Sequence, residues 1–319
     1  MATRRLVSAR RAWGARLPLA VRAPAAAPPS ARALYTSTTA AAAADSERVE
    51  LPMSERVLLD FDRHGPGPGG RDPLDAPVLF LHGLFGSKKN NRTVSRALAQ
   101  RLGRYVYTLD LRNHGDSPHV YRHDYLAMAA DVAGFIRDRA LQNSILIGHS
   151  MGAKAAMTLC LGEPELVAGL VAVDNAPVDA ELGGAFVQRI EGMRLVEEAG
   201  VSVQSDADAL LAPFEPDAAV RQFLLSNLRR PFNNIGGRRF RIPLGILARA
   251  LPRLGDFPFK DPALARFPGP ALFVRGTRSP YVPDDVLPLV GSFFPRFRLA
   301  DIDAGHWVIS EKPEEFLRG

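Results

Sequence analysis

The sequence predicts an α/β protein with a mostly parallel sheet, helices on both faces and an inserted helical cap. Short apolar runs that end at turn signals alternate with helical periodicity, which is the pattern of parallel strands joined by crossover helices. In addition, a serine flanked by glycines stands where one run ends and a helix begins. The six runs are PVLFLHG, YVYTLDLR, SILIGHS, LVAVDNA, ALFVRGT and FRLADID.

The spacing of these runs locates the cap. Four of the five intervals between successive run ends are 26 to 36 residues long, whereas the interval from Val173 to Val274 is 101 residues long. The excess, about 181–259, has helical periodicity of its own and is therefore predicted to be a helical cap. Before the first long run, RVELPM and VLLDF are predicted to form two early antiparallel strands.

Residues 1–44 differ in composition from the rest of the chain. They hold seven arginines and no Asp or Glu, which is typical of a mitochondrial transit peptide and indicates a protein of the matrix. A basic tail that stays attached is the alternative. Without those seven, 33 basic residues stand against 34 acidic ones, so no nucleic-acid partner is expected for the predicted domain, residues 45–319.

Several other classes of protein are not expected. No stretch approaches the roughly 18 uninterrupted apolar residues of a membrane span. The single cysteine, Cys160, cannot form an internal disulfide, which fits a reducing compartment. His114, His119 and His123 lack the cysteine or carboxylate pattern of a metal site and are predicted to be loop residues that face solvent. Neither a metal nor an organic cofactor is expected.

Ser150 is the predicted nucleophile. The stretch GHSMG has the form G-x-S-x-G between a strand and a helix, which is the nucleophile elbow of the α/β-hydrolase fold. The glycines are needed because the serine must adopt a strained backbone conformation at a tight turn. The alternative is a serine that only caps the helix.

His306 is the predicted general base. It follows the last strand, at the carboxyl edge of the sheet, and it is last in the chain order of this fold's triad. His82 lies in the loop after the first parallel strand, where a structural hydrogen bond is expected. His149 adjoins Ser150, and its side chain is expected to point away from the serine.

Asp174 is the predicted acid of the triad. In many α/β-hydrolases the acid stands three residues after the glycine that ends the penultimate strand, but this position is Ser279 here. Asp284 and Asp285 come too late for the usual turn. Asp174 ends the strand next to that of Ser150, from where its carboxylate could orient the imidazole of His306. The alternative is a strand-end aspartate that caps the next turn.

Two backbone amides are the predicted oxyanion donors. Met151 supplies one at the start of the helix, and Leu84 supplies the other because the preceding glycine lets the loop turn inward. Lys154 and five cap arginines are expected to reach solvent, although the lysine could support the polar end of an acyl group and the arginines could bind coenzyme A phosphates. The arginines are Arg229, Arg230, Arg238, Arg239 and Arg241.

The motifs HGLFGSKKNN, LDLRNHGDSPH, GHSMGAK, VAVDNAP and AGHW resemble a known family. They are similar to the mitochondrial α/β-hydrolases that include alpha/beta-hydrolase domain-containing protein eleven and the ethanol acetyltransferases. The resemblance implies a mitochondrial serine hydrolase of short acyl esters or thioesters, with alcohol acetylation in some members. It also implies that the acid comes from VAVDNAP, in agreement with Asp174.

The sequence thus predicts a serine-dependent acyl hydrolase with a small acyl ester or thioester as substrate. Alcohol O-acetyl transfer from acetyl-CoA is the alternative reaction, since it would use the same triad. A catalytically inactive binding module with the same fold is the alternative of another class.

Overall fold

A seven-stranded sheet forms the centre of the computed structural model, which describes residues 49–67, 76–230 and 237–318. The predicted leader, residues 1–44, lies outside the described residues. The strand order is β1-β3-β2-β4-β5-β8-β9, and all pairs are parallel except β1 with β3. The strands are β1 (Phe61–His64), β2 (Val78–Leu81), β3 (Val106–Leu109), β4 (Ser144–His149), β5 (Val167–Val173), β6 (Leu228–Arg229), β7 (Arg239–Phe240), β8 (Ala271–Gly276) and β9 (Phe297–Ile302).

Helices cover both faces of the sheet. Strand residues point alternately to opposite sides, so Val78 and Phe80 of β2 pack with α1, α9 and α10, whereas Leu79 and Leu81 pack with α2 and α3. The predicted fold class is therefore confirmed. The helices are α1 (Arg92–Leu102), α2 (Tyr125–Asp138), α3 (Met151–Gly162), α4 (Gly184–Glu198), α5 (Gln204–Leu211), α6 (Ala218–Leu225), α7 (Leu244–Gly255), α8 (Leu287–Phe293), α9 (Val308–Glu311) and α10 (Pro313–Phe316).

The long interval between β5 and β8 contains α4 to α7 and the small antiparallel sheet of β6 and β7. Helix α4 packs against α5 and α7, and its apolar residues Ile190, Met193 and Val196 are buried. We call residues 184–255 the insertion.

The prediction of two early antiparallel strands is wrong. RVELPM forms no strand in its described part, and Met53–Glu55 is a short 3-10 helix. Of VLLDF only Phe61 belongs to a strand, β1, whose partner is β3 rather than a neighbouring segment. Most apolar residues of both segments instead pack against the core individually, as Leu59 does at 5% exposure, whereas Leu58 is 72% exposed.

Candidate active site

Ser150 lies on the tight turn between β4 and α3. Its backbone angles are φ 54° and ψ −116°, a conformation that costs a residue with a side chain about 1–3 kcal/mol. A Cβ atom on Gly148 would lie 2.3 Å from the carbonyl oxygen of Gly152, and one on Gly152 would lie 2.4 Å from that of Leu81. Both glycines are therefore required by the turn. The Ser150 side chain makes no capping hydrogen bond to the helix.

Ser150, His306 and Asp174 form a continuous series of hydrogen bonds. The distance from Ser150 Oγ to His306 Nε2 is 2.9 Å, and that from His306 Nδ1 to Asp174 Oδ2 is 2.7 Å. Because a carboxylate only accepts, Nδ1 carries the proton and Nε2 accepts from the serine hydroxyl. The structure thus brings together the three side chains that the sequence selected, in the geometry of a nucleophile, a base and an orienting acid.

Asp174 is completely buried at the end of β5 and has a positive φ of 52°. Its Oδ1 accepts from the Gly276 amide at 3.0 Å, and its Oδ2 accepts from both His306 and the Ser279 hydroxyl. Three donors therefore compensate the buried carboxylate. Asp284 is 82% exposed at the side chain and pairs with an arginine of β8 instead.

The two residues that carry the predicted oxyanion amides lie close to Ser150. Met151 is the first residue of α3, and Leu84 lines the same cavity as Ser150. The next amide along the loop, that of Phe85, donates to His114 Nε2 at 3.1 Å. No hydrogen-bond acceptor within the described part of the chain is assigned to the Leu84 amide. Leu84 and Met151 remain the predicted donors for an oxyanion.

His82 holds the loop that follows β2. Its Nδ1 donates to the Gly83 carbonyl at 2.8 Å, and its Nε2 accepts from the Leu111 amide at 3.0 Å. Burial lowers the pKa of His82, so the ring stays neutral and Nε2 can accept. The predicted structural hydrogen bond is confirmed.

The prediction that three histidines after β3 face solvent is wrong for two of them. His114 is 0% exposed and His123 is 1% exposed, whereas His119 is exposed. The segment is drawn inward because the buried guanidinium of Arg112 binds both carboxylate oxygens of Asp131 on α2, at 2.6 and 2.7 Å. A contact between side chains 19 residues apart has no signal in the local pattern.

Lys88 lies at the centre of a carboxylate cluster beside the same loop. Its ammonium binds Asp60, Asp110 at 2.9 Å and Asp116 at 3.0 Å. These carboxylates lie within 4.8 Å of one another, as in a cation site, and the lysine itself supplies the positive charge. Although burial opposes the charged form, the three carboxylates raise the pKa of Lys88. The Lys88 amide also donates to Asp110, which stabilises the loop that carries Leu84.

A cavity of about 190 Å³ opens over Ser150 and His306, and its wall is mostly apolar. Tyr281 is part of this wall and stacks on the His306 ring, with centroids 4.2 Å apart and an angle of 29° between the planes. His149 also lines the cavity, and its Nε2 donates to the His306 carbonyl at 2.8 Å. The insertion contributes Ala185, Phe186, Arg189, Val220, Phe223 and Leu224.

Sequence reasoning missed Arg189 and Tyr281 as residues of the cavity. Arg189 lies within the helical pattern of α4, where charged residues usually face water. Tyr281 follows β8 in the segment searched for an acid. An aromatic residue close behind a strand end, where this fold forms its site, was the one available signal.

The expectation that Lys154 reaches solvent is wrong. Its side chain is buried, and Nζ donates to the carbonyls of Gly255 and Asp256 at 3.3 and 3.4 Å, at the end of α7. A cation is stabilised there because the last carbonyls of a helix lack partners and carry partial negative charge. Burial lowers the pKa of Lys154 to about 8. The lysine is not part of the cavity wall.

The insertion arginines only partly form the expected solvated surface. Arg229, Arg230 and Arg239 are exposed. The side chain of Arg241 is 7% exposed and binds Asp116 at 2.5 Å. It therefore joins the insertion to the turn that follows β3.

Comparison with known proteins places this geometry in a family. Residues 76–313 match the family model of the alpha/beta hydrolase fold. The chain is 45% identical over 284 residues to a "Probable alcohol acetyltransferase" of Saccharomyces cerevisiae, covering 84% of this chain and 82% of that protein. It is 39% identical over 274 residues to "sn-1-specific diacylglycerol lipase ABHD11" of Mus musculus, covering 84% and 83%. A solved "Marine microorganism esterase" superposes with a TM-score of 0.73 at 28% identity, covering 82% of this chain and 97% of that one.

The chain belongs to the α/β-hydrolase family, in the group that contains ABHD11 and the yeast alcohol acetyltransferases. It is an enzyme of the serine hydrolase type, so the alternative of an inactive binding module is set aside. Over the ranges that the structure describes, none of the helices has the length and apolar character that crossing a bilayer requires.

Proposed function

We propose that this enzyme hydrolyses short acyl carboxylic esters or thioesters through an acyl-enzyme on Ser150. The observation that carries the proposal is the hydrogen-bonded series of Ser150, His306 and Asp174 at the apolar cavity. The cavity, at about 190 Å³, is smaller than the roughly 300–1,000 Å³ that accommodates drug-sized ligands, which favours short acyl groups.

In the proposed cycle, Ser150 Oγ bonds to the acyl carbon while its proton passes to His306 Nε2. Asp174 keeps Nδ1–H oriented and stabilises the imidazolium, and the amides of Leu84 and Met151 bind the oxyanion. The imidazolium then gives this proton to the departing alkoxide or thiolate, which is released as the alcohol or thiol. The acyl group stays bonded to Ser150 Oγ as the acyl-enzyme. Water attacks next by the same route and releases the acid. No metal or organic cofactor is required by these steps.

A fluorophosphonate probe tests the nucleophile. The purified enzyme should be labelled, and Ser150→Ala should abolish labelling. Ser205→Ala, at an exposed serine of the insertion, is the matched control and should be labelled like the wild type. Persistent labelling of Ser150→Ala in a folded protein would assign the nucleophile to another residue.

Acyl transfer to an alcohol is the second candidate reaction, favoured by relatives whose names state it. These include the Saccharomyces cerevisiae protein and "Ethanol acetyltransferase 1" of Kluyveromyces lactis, to which the chain is 32% identical over 310 residues. With acetyl-CoA or a small acetate ester plus excess ethanol, we expect free acetate to exceed ethyl acetate. The reverse ratio would favour the transferase.

We also propose that the enzyme acts in the mitochondrial matrix, because residues 1–44 have the composition of a transit peptide. A fusion of these residues to a fluorescent reporter should enter mitochondria. The same fusion with its seven arginines changed to glutamine is the control and should stay outside. A diffuse cytosolic signal from the unaltered fusion would contradict the proposal.

A further inference from the structure

Arg189 contributes a guanidinium to the wall of the cavity above Ser150. Among the described residues that line this cavity, it is the only Lys, Arg, Asp or Glu. A charge in a mostly apolar wall is costly unless it has a partner. The partners of Arg189 therefore determine whether its guanidinium is able to bind a substrate.

One partner holds the guanidinium through its Nε atom. The Nε atom of Arg189 donates to Glu215 Oε2 at 2.6 Å. Glu215 is 5% exposed, and its other oxygen accepts from the Asp217 amide at 3.0 Å. The ring of Phe186 lies under the guanidinium, with its centroid 5.2 Å from Cζ. Because the partner is itself held in place, the orientation of Arg189 is set before a substrate binds.

The terminal nitrogens of Arg189 have no such partner. Neither Nη atom has a hydrogen bond within the described part of the chain, and the side chain is 19% exposed. Burial raises the pKa of the Tyr281 phenol, and the charge of Arg189 acts against that rise. The guanidinium thus lies within electrostatic reach of the residue that stacks on His306.

We propose that Arg189 binds a carboxylate at the far end of the substrate's acyl chain. The two Nη atoms present a planar pair of donors that matches the two oxygens of a carboxylate. The ion pair with Glu215 uses the Nε atom and leaves both Nη atoms available to bind the carboxylate of a substrate. The enzyme then prefers esters or thioesters of dicarboxylic acids over those of neutral acids of the same length. This inference rests on the proposed function, since it specifies the substrate of the same cavity.

The test compares two series of ethyl esters by the ethanol that they release. The monoethyl esters of malonic to adipic acid carry the carboxylate, and the ethyl esters of propionic to hexanoic acid are the neutral matches. For the best chain length, kcat/KM should be at least about tenfold higher for the carboxylate ester, as a charge-assisted hydrogen bond predicts. Because the contact forms equally in the ground and transition states, the preference should appear in KM rather than in kcat.

The variants separate recognition from packing. Arg189→Met combined with Glu215→Gln avoids an unpaired buried carboxylate, and it should lower kcat/KM for the carboxylate esters at least about tenfold more than for the neutral esters, which abolishes the preference. Arg194→Met removes an exposed arginine of the same helix and should keep the wild-type ratio. A wild-type ratio near one overturns the inference. So does a parallel loss for both ester series in the double variant, because that is the signature of a structural role.

Binding without turnover distinguishes failure of the inference from failure of the proposed function. If the wild type hydrolyses neither series, monoethyl adipate is titrated by calorimetry into Ser150→Ala with and without the Arg189 and Glu215 changes. Binding that depends on Arg189 supports the inference although hydrolysis is disproved. Absence of binding, or binding that is independent of Arg189, overturns it.

Discussion

The hydroxyl of Ser279 donates a hydrogen bond to Asp174 Oδ2, the same carboxylate oxygen that binds His306. Ser279 is the third residue after Gly276, where many α/β-hydrolases carry the acid of the triad. The side chain at that position therefore reaches the carboxylate that this chain supplies from β5. Two distant positions of the sequence converge on one point beside the imidazole.

Removing the charge of Asp174 should disable the enzyme without unfolding it. Asp174→Asn favours the wrong tautomer of His306, and we expect kcat to fall by roughly the 10⁴-fold seen for this change in serine proteases. Asp284→Asn and Asp285→Asn should remain within a few-fold of the wild type with a p-nitrophenyl ester. Near-normal turnover of Asp174→Asn would contradict the assignment.

An aspartate at position 279 should partly replace the acid of β5. In the double variant Asp174→Asn with Ser279→Asp, the new carboxylate can reach His306 Nδ1, and we expect it to recover at least about tenfold of the lost kcat. Asp174→Asn with Thr277→Asp is the position control and should recover nothing. Equal turnover of the two double variants would show that the location of the charge is unimportant.

The stack of Tyr281 on His306 should contribute to kcat. The imidazole becomes a cation in the proposed step, and an aromatic face stabilises a cation by about 0.5–2 kcal/mol. We therefore expect Tyr281→Leu to lower kcat about 2- to 30-fold. Tyr281→Phe keeps the aromatic face and should stay close to the wild type. A phenylalanine variant as slow as the leucine variant would assign the effect to the hydroxyl.

Loss of the Lys88 charge should destabilise the fold. Asp110 is completely buried, and Lys88→Met would leave its charge without the ammonium. Breaking a buried ion pair in this way costs about 3–5 kcal/mol, which urea denaturation should detect. The adjacent Lys89 is exposed, so Lys89→Met is the matched control and should leave the free energy of unfolding unchanged. A similar value for both variants would contradict the prediction.

Acid should destabilise the enzyme through its buried histidines. Burial lowers the pKa of His114 well below its usual value, that of His123 to about 3 and that of His149 to about 4. In the unfolded chain a histidine titrates near pH 6.5. Each unit of difference between the folded and the unfolded pKa corresponds to about 1.4 kcal/mol. Below about pH 6.5 the unfolded state binds protons that the folded state excludes, so stability falls as pH decreases toward the folded values.

Urea denaturation at pH 7.5 and 5.5 measures this loss. His114→Gln keeps an acceptor for the Phe85 amide but cannot titrate, so its free energy of unfolding should decrease less between the two pH values. The same decrease in the variant and the wild type would exclude His114 as a contributor.

The sequence was sufficient to predict those site residues that come soon after the end of a strand. Ser150, Asp174 and His306 each come directly or shortly after a parallel strand, and parallel strands bring their carboxyl ends to one edge of the sheet. The proximity of the three was therefore predictable from the order of apolar runs. The pairing of His149 with Val173 then sets Ser150 and Asp174 side by side, directly after the ends of neighbouring strands.

Burial of polar residues could not be predicted in the same way. Lys154 and His114 are polar residues that would face water on composition alone, but each is covered by a segment distant in the chain. For Lys154 this is the end of α7, about a hundred residues later. Arg189 is likewise a cavity residue only because the insertion folds back over Ser150. Such contacts depend on tertiary packing, which neither hydrophobic periodicity nor motif spacing records.

The insertion supplies much of the cavity wall, yet none of the three hydrogen-bonded residues comes from it: Ser150 and Asp174 precede it in the chain, and His306 follows it. An acid placed after β8 would instead lie on the far side of the insertion from the serine. In this chain, insertions, deletions or exchanges among α4 to α7 alter the groups that meet the acyl chain and leave both neighbouring strand ends as they are. Natural selection can therefore change what the enzyme accepts without rebuilding how it transfers protons.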